Sequence, residues 1–408
     1  MVVPLEKLRA WWFHRQGLDG RLMGNDTGKA AAEVLERTGW VRGLGGVGTY
    51  LALHARAGLS RESVDSAVAK LQIHELPAAR GCTYIVPAGD FALALRAGEP
   101  FEGAEMKTAL KLGVTEKEIA KLCGAALKAL EKAPLDPDGI REAVGNASRS
   151  LGEEGKKKGV TTTLPVALGK LQAAGEIRRV STNGRLDQQR YRYALWRPNP
   201  LAKFKMPVEE INIELARRFF SWIGPATLAE FQAFLGSSVK AAKAAMEALK
   251  LTSDALKVTS DQGERWMMPS DRDAFEAFKV PKQAQYVLVS SIDGLSLFRR
   301  EFKSLIDAAD WNREAYGDKG LTELGALGDL HSHTIFDRGR LVGLWEFDPE
   351  ANSMVWASFI PKNKDLEKAV ARTEEFVRAQ LGDARGYSLD SVKSRAPRLA
   401  ALRRVAAR

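Results

Sequence analysis

The sequence is poor in cysteine and has no long apolar run. Its 408 residues include two cysteines, Cys82 and Cys123, which are too few for a disulfide framework and lack zinc-ligand spacing. No apolar stretch approaches the roughly 20 residues that a membrane-spanning helix needs. The N-terminus has no basic region leading into an apolar one, so no secretory signal is expected. We therefore expect a cytoplasmic monomer that does not associate with membranes.

Histidine is scarce as well, with five residues in the chain. His331 and His333 are alternate residues, which share a face if they lie in a strand. No further cysteine or histidine cluster completes a metal site around them. We therefore predict no metal site and expect packing roles for the scattered His14, His54 and His74.

Positive charge is plentiful and concentrated. The chain has 61 basic and 51 acidic residues, a net charge of +10. The segment from Lys156 to Lys205 holds two acids, Glu176 and Asp187, and twelve basic side chains: Lys156, Lys157, Lys158, Lys170, Arg178, Arg179, Arg185, Arg190, Arg192, Arg197, Lys203 and Lys205. Twelve minus two equals the net charge of the whole chain, so the remaining residues sum to zero. Concentrated charge of this kind attracts phosphate, and counterion release then gives sequence-independent affinity. A merely solvated face is the alternative.

One order of predicted elements occurs three times: two or three helices, then a strand, a turn and a strand. That order is the plan of a winged helix, a helix-turn-helix with an added β-hairpin. We predict a mostly α fold with β-hairpins. It comprises three tandem winged-helix (helix-turn-helix) domains at 1–99, 100–206 and 207–279, followed by a small α+β C-terminal domain at 280–408.

The middle copy has the clearest helix signals. Thr115 and Glu118 form a capping box for a helix through Leu130, and Asp136 followed by Pro137 starts the next helix. After a predicted loop at 152–159, a third helix begins. Thr163 is its predicted cap, and its apolar face consists of Leu164, Leu168 and Leu171. The opposite face, predicted to be free to enter a DNA groove, consists of Thr163, Val166 and Lys170.

A hairpin follows, with strands at 177–180 and 189–196 around a turn at 181–184. Side chains alternate in a strand, so Tyr191, Tyr193 and Leu195 are predicted to face the core. Arg190 and Arg192 then face outward, as suits a DNA-contacting wing.

The other segments carry weaker versions of the same signals. In the first copy, helices are predicted near 5–16, 28–38, 49–57 and 61–70, with a hairpin made from 74–77 and 81–87. In the third copy, Thr227 and Glu230 form a capping box, and wing strands are predicted at 256–259 and 265–268. The last domain is predicted to have strands near 286–289, 340–347 and 354–359, a long helix at 364–381, and a frayed basic tail at 403–408.

Two local patterns allow more than one interpretation. The glycines of loop 43–48 fit a phosphate cradle or a tight turn, and the turn is favoured because isolated glycine patterns are weak. Trp11, Trp12 and Phe13 fit stacking on a flipped base, but consecutive aromatics on a helix more often fill a core.

Four stretches resemble the AlkZ-like winged-helix DNA glycosylases, a bacterial family. They are Leu8 to Leu18 (LRAWWFHRQGL), Tyr50 to Arg56 (YLALHAR), Arg80 to Asp90 (RGCTYIVPAGD) and Gly339 to Trp345 (GRLVGLW). The resemblance implies three winged helices lining a channel for double-stranded DNA, and hydrolysis of the N-glycosidic bond of alkylated or bulky bases. No metal or organic cofactor is implied.

The sequence departs from that family in one loop. Members carry Gln-x-Gln or Gln-x-Asp just before the stretch that matches Tyr50 to Arg56, whereas this chain has RGLGGVGTY from Arg42 to Tyr50. Glycosidic hydrolysis needs a positioned water and polar or negative groups beside the developing positive charge. No catalytic residue is therefore carried over, and whether the chain is an enzyme stays open.

Three functions follow as hypotheses: a DNA repair glycosylase, a non-catalytic DNA-binding regulator or lesion sensor, and, less favoured, an RNA-binding module. The two DNA-binding hypotheses share one set of predicted contacts. These are Lys156, Lys157, Lys158, Thr163, Lys170, Arg178, Arg179, Arg185, Arg190, Arg192 and, at the first hairpin, Arg80.

Overall fold

The computed structural model describes residues 2–24, 26–101, 103–187, 190–251, 258–260, 263–299 and 302–406. The chain is mainly helical with small antiparallel sheets, as the sequence predicts. No helix in these ranges combines the length and apolar character needed to cross a membrane.

The helices follow one another along most of the chain. They are α1 Leu5–Arg15, α2 Gly28–Thr38, α3 Gly48–Ala57, α4 Arg61–Ala69, α5 Phe91–Gly98, α6 Ala104–Lys111, α7 Glu116–Leu130, α8 Pro137–Val144, α9 Gly152–Lys157, α10 Leu164–Ala173, α11 Val208–Ile223, α12 Leu228–Leu235, α13 Val239–Ala248, α14 Arg272–Ala277, α15 Gly294–Leu297, α16 Lys364–Phe376 and α17 Val392–Ala406. A π-helical turn, Val377–Leu381, extends α16. The four helices predicted before residue 71 are confirmed to within one residue at each end.

The strands are short. They are β1 Val41–Arg42, β2 Ile73–Pro77, β3 Thr83–Pro87, β4 Ile177–Ser181, β5 Tyr191–Leu195, β6 Val258–Ser260, β7 Gly263–Arg265, β8 Tyr286–Val289, β9 Glu314–Gly317, β10 Gly320–Glu323, β11 His333–Asp337, β12 Arg340–Asp348 and β13 Ser353–Ser358. They form sheets of order β1-β3-β2 and β13-β12-β11-β8 and the pairs β4-β5, β6-β7 and β9-β10. In the predicted third wing, Leu256 and Lys257 lie outside the described residues, and β7 begins and ends earlier than predicted.

Local capping chemistry places several helix starts. Both halves of the capping box are present at Thr115 and at Thr227, so each threonine accepts from a first-turn N–H while a glutamate accepts from the threonine N–H. Asp136 caps α8 by accepting from Gly139 N at 2.8 Å. These predicted helix starts are confirmed.

The chain divides into two compact units. The larger unit comprises Met1–His74, Ile85–Ala88 and Asn212–Arg408, and the smaller unit comprises Glu75–Tyr84 and Gly89–Ile211. The core of the smaller unit joins α7, α8 and α10 to the β4-β5 pair, and Leu164, Leu168 and Leu171 are buried in it as predicted.

In the larger unit the four-stranded sheet carries the C-terminal part of the core. Trp345 in the middle of β12 pairs with Trp356 on one side and His333 on the other. The predicted strands at 286–289, 340–347 and 354–359 and the long helix are confirmed.

The expectation of a frayed tail is wrong for its described residues. Helix α17 runs through the tail to Ala406, and two of its arginines are buried, Arg395 at 1% and Arg398 at 5% exposure. Arg395 pairs with Asp383 at 2.7 Å, and Arg398 pairs with Glu346 at 2.8 Å and Asp390 at 2.9 Å. Acids outside the helix therefore hold these arginines, and the segment is helical through Ala406.

Candidate nucleic-acid interface

The β4-β5 ladder sorts the arginines of the basic segment onto two faces. Arg178 lies opposite Ala194, and Val180 lies opposite Arg192. Thr182 N donates to Arg190 O at 3.0 Å, which continues this register. Because opposite residues of a ladder share a face, Arg178, Arg190 and Arg192 lie together. This surface is termed the outer wing face.

The inner face of the wing carries the apolar and aromatic side chains of β5. Tyr193 is buried in the core of the smaller unit, and Tyr191 and Leu195 pack against that core. The predicted alternation of β5 is therefore confirmed: the tyrosines face inward, while Arg190 and Arg192 are exposed.

Charge on the outer wing face is not neutralised locally. In the ranges that the structure describes, none of its three arginines forms an ion pair, although Arg185 and Arg197 nearby do so. Burial lowers the pKa of the half-buried Arg178, because a desolvated cation without a counter-charge is disfavoured. An anion bound there would supply that counter-charge.

The lysines at 156–158 differ from this pattern. The predicted loop is wrong, because residues 152–157 form the short helix α9. Its first turn carries Glu153 and Glu154, which precede the basic segment that begins at Lys156. Lys157 pairs with Glu154 at 3.0 Å, and Lys156 pairs with Glu153 at 3.9 Å. Both pairs are exposed and therefore weak, but they reduce the local positive charge.

Arg185 also has an acidic partner. Its Nε donates to Asp187 Oδ1 at 2.8 Å, and Asp187 is nearly buried. The two residues sit in the turn between β4 and β5, where the ion pair gives a bidentate contact of the stable kind. Arg185 is thus a less available phosphate contact than its sequence position suggested.

The groove-facing side predicted for α10 requires a correction. Thr163 is fully buried and Val166 is 5% exposed. Thr163 Oγ1 accepts from Arg149 N at 3.1 Å and does not cap α10. Since Arg149 and α6 cover this side of the helix, the expectation that Thr163 and Val166 are free to enter a groove is wrong. Lys170 remains exposed.

Arg80 lies at the tip of the hairpin between β2 and β3. It is exposed and adopts φ +60° in the short 3₁₀ turn Ala79–Gly81. The hairpin tip, residues 75–84, belongs to the smaller unit together with residues 89–211. All the predicted DNA contacts therefore lie in one compact unit, although Arg80 is 76 residues from the nearest of them in sequence.

The family model described as DNA glycosylase AlkZ-like matches residues 48–386. The chain belongs to the AlkZ-like DNA glycosylase family.

A solved structure, the DNA glycosylase AlkZ of Streptomyces sahachiroi, has a similar fold. The TM-score is 0.66 at 18% sequence identity, and the match covers 94% of this chain and 98% of that one. No curated protein matches this chain by sequence.

The loop in which this AlkZ-like chain lacks glutamine lies against its own C-terminal segment. Val47 N donates to Arg385 O at 3.0 Å, and Ser388 N donates to Leu44 O at 2.9 Å. A Cβ at Gly46 would lie 2.5 Å from Arg385 O and would also overlap Gly386. The loop therefore lies closely against another backbone segment, an approach that glycine permits, and its Val47 N–H is already paired.

The aromatic triplet of α1 fills the core. Trp11, Trp12 and Phe13 are at most 3% exposed. The guanidinium of Arg299 lies 4.0 Å from the Trp12 ring centroid, and that of Arg265 lies 5.0 Å away. Burial lowers the pKa of Arg299 to about 10. These rings are not available to stack on a base.

Neither histidine of the 331–333 pair belongs to a metal cluster among the described residues. His333 is buried: its Nδ1 accepts from Ser291 N at 3.0 Å, and its Nε2 donates to Ala384 O at 2.7 Å. His331 lies 3.4 Å from Asp318. The buried His333 is therefore held by backbone groups of two other segments.

Proposed function

We propose that this chain binds duplex DNA through the outer wing face and excises alkylated or bulky bases from it. The observation that carries the binding proposal is a single surface of three arginines, Arg178, Arg190 and Arg192, with no acidic partner in the described ranges. Phosphates satisfy such cations, and contacts of this kind fix the position of a protein on the duplex. Lys158, Lys170 and Arg80 extend the same set.

The architecture we propose for this task is three tandem winged helices and a C-terminal α+β domain, with boundaries near residues 99, 206 and 279. Helix pairs followed by the hairpins β2-β3, β4-β5 and β6-β7 support it. The family membership supports the chemistry, which is hydrolysis of an N-glycosidic bond.

A second candidate function is a non-catalytic DNA-binding protein that senses lesions or regulates. The glycine loop 43–48 favours this function, because Gly46 and Val47 contact backbone atoms of the 385–386 segment and present no side chain that orients water. Incubating excess protein with duplex containing N7-methylguanine or a crosslink, and then measuring abasic sites, separates the two. Base release above background excludes the non-catalytic function, and its absence excludes the glycosylase.

The binding surface is tested by replacing Arg190 and Arg192 with Ala. We expect weaker duplex binding and a shallower dependence of log K on log salt, by roughly one unit per lost phosphate contact. The control is the double variant Arg217→Ala and Arg272→Ala, which removes two exposed, ion-paired arginines from the larger unit. An unchanged slope in the wing variant would exclude the outer wing face as the contact.

A further inference from the structure

Two adjoining segments of the larger unit expose large apolar side chains to solvent. Leu389 is 76% exposed and Tyr387 is 41% exposed, and Val392 and Leu44 are exposed as well. Ser388 N donates to Leu44 O at 2.9 Å, which joins the two segments. The set Leu44, Tyr387, Leu389 and Val392 is termed the apolar patch. Apolar side chains scattered singly over a surface are ordinary, whereas a group of them marks an interaction site.

The turn that carries Tyr387 and Leu389 is fixed by buried contacts. The buried carboxylate of Asp390 pairs with Arg398 at 2.9 Å and accepts from Gly386 N at 2.9 Å. Asp390 N donates to Tyr387 O at 3.0 Å. Leu389 is therefore presented to solvent by a turn whose backbone is held in place.

The charge of these two segments suits a polyanion. Residues 42–48 and 385–394 contain one acid, Asp390, and its charge is already paired. The same residues include three basic ones, Arg42, Arg385 and Lys393, of which Lys393 is exposed. Proteins that unstack DNA insert apolar side chains between base pairs while basic groups attract the phosphates. A purely apolar partner would gain nothing from the positive charge.

We infer that the apolar patch contacts the base stack of the duplex, with Leu389 inserted as a wedge beside the extruded base and Tyr387 stacked on a neighbouring base. The inference rests on the proposed function, since base excision requires the target base to leave the stack. An inserted side chain fills the gap that the base leaves and replaces part of the lost stacking. Leu389 and Tyr387 are thus assigned to stabilising the opened duplex.

The fluorescence of 2-aminopurine tests the wedge, because it is quenched when this base is stacked and rises when the stack is opened. The probe is a duplex with 2-aminopurine beside an N7-methylguanine whose 2′-fluoro sugar resists hydrolysis. We expect saturating wild-type protein to raise the fluorescence, and Leu389→Ala to give a rise at least about twofold smaller. Leu389→Met keeps an apolar side chain of similar volume and should retain the rise.

The matched control is Leu321→Ala, which removes another exposed leucine, in β10 of the same unit, and should give the wild-type rise. A wild-type rise in Leu389→Ala would overturn the inference, and so would duplex binding by the wild-type protein without any rise. Leu389→Ala should keep the wild-type salt slope, because no phosphate contact is lost. The salt slope of the Arg190 and Arg192 variant reports on the proposed function separately, so the two failures are distinguishable.

A second copy of the chain is the other candidate occupant of the apolar patch. Sedimentation velocity of the DNA-free protein separates this case from the wedge. We expect the same monomeric species for the wild type and for Leu389→Ala. A dimer that Leu389→Ala dissociates would assign the apolar patch to self-association and overturn the inference.

Discussion

Gly46 is a residue at which two backbone segments of the larger unit approach closely. Any side chain there meets the carbonyl oxygens of Arg385 and Gly386, which are backbone atoms and do not rotate away. We expect Gly46→Ala to lower the free energy of unfolding by about 1–3 kcal/mol, as overpacking does, measured by urea denaturation.

Gly124 provides the control for that substitution. It is an exposed glycine within α7, and a Cβ there meets no atom within 4 Å. Gly124→Ala should raise the free energy of unfolding by up to about 1 kcal/mol, because alanine is the better helix former. Equal stability of the two variants would contradict the close approach at Gly46.

Two neighbouring residues of the basic segment also have different surroundings. Arg178 and Arg179 are adjacent in sequence, yet one faces outward and the other stacks on Tyr191. The strand period predicts that they lie on opposite faces. It does not predict that the Arg179 guanidinium stacks on the Tyr191 ring, because that contact depends on how β4 pairs with β5.

Helix α17 is held by acids that lie outside the helix. Arg398 is 5% exposed and contacts both Glu346 and Asp390. Removing one partner leaves buried charges uncompensated. We expect Arg398→Ala to destabilise the larger unit by about 3–5 kcal/mol, measured by chemical denaturation.

Arg403, further along α17, is exposed and pairs with the buried Asp348, which also accepts from the backbone N–H groups of Glu350 and Ala351. Because Asp348 keeps these backbone contacts and water can reach the Arg403 end of the pair, Arg403→Ala should cost at most about 1 kcal/mol. If the two variants were equally stable, the buried network would not be what holds the helix.

Helix α10 follows the sequence prediction on one face and departs from it on the other. Its start at Leu164 and its apolar face follow from the sequence pattern, but the other side of the helix is also covered. An amphipathic pattern identifies the most apolar face; it cannot show that a neighbouring segment, such as Arg149, occupies another.

Stability of the whole molecule should depend on pH through His333. Burial lowers the pKa of this imidazole, which lies close to Glu346, Arg398 and Asp390. In the unfolded chain its pKa is near the ordinary value of about 6.5. As pH falls below that value, the unfolded chain takes up a proton that the folded chain does not, so stability is full above about 6.5 and declines on acidification.

We expect the wild-type free energy of unfolding to fall by up to about 1.4 kcal/mol per pH unit more than that of His333→Gln between about pH 5 and 6.5. Denaturant titrations at several pH values give this difference. His331→Gln, which replaces a partly exposed histidine two residues away, is the control for loss of a histidine side chain. Parallel curves for wild type and His333→Gln would refute the assignment.

At the scale of the whole chain, the sequence by itself determined the mainly helical fold, most helix starts and the segment that carries the net charge. These features depend on residues close in sequence: capping pairs three residues apart, the strand period and the local excess of lysine and arginine. Only the tertiary structure decided that Arg80 joins the basic segment in one compact unit, that the glycine loop lies against residues 385–388, and that α17 is helical through Ala406. Each of these depends on contacts between segments far apart in sequence, whose free energy appears only when the chain is folded.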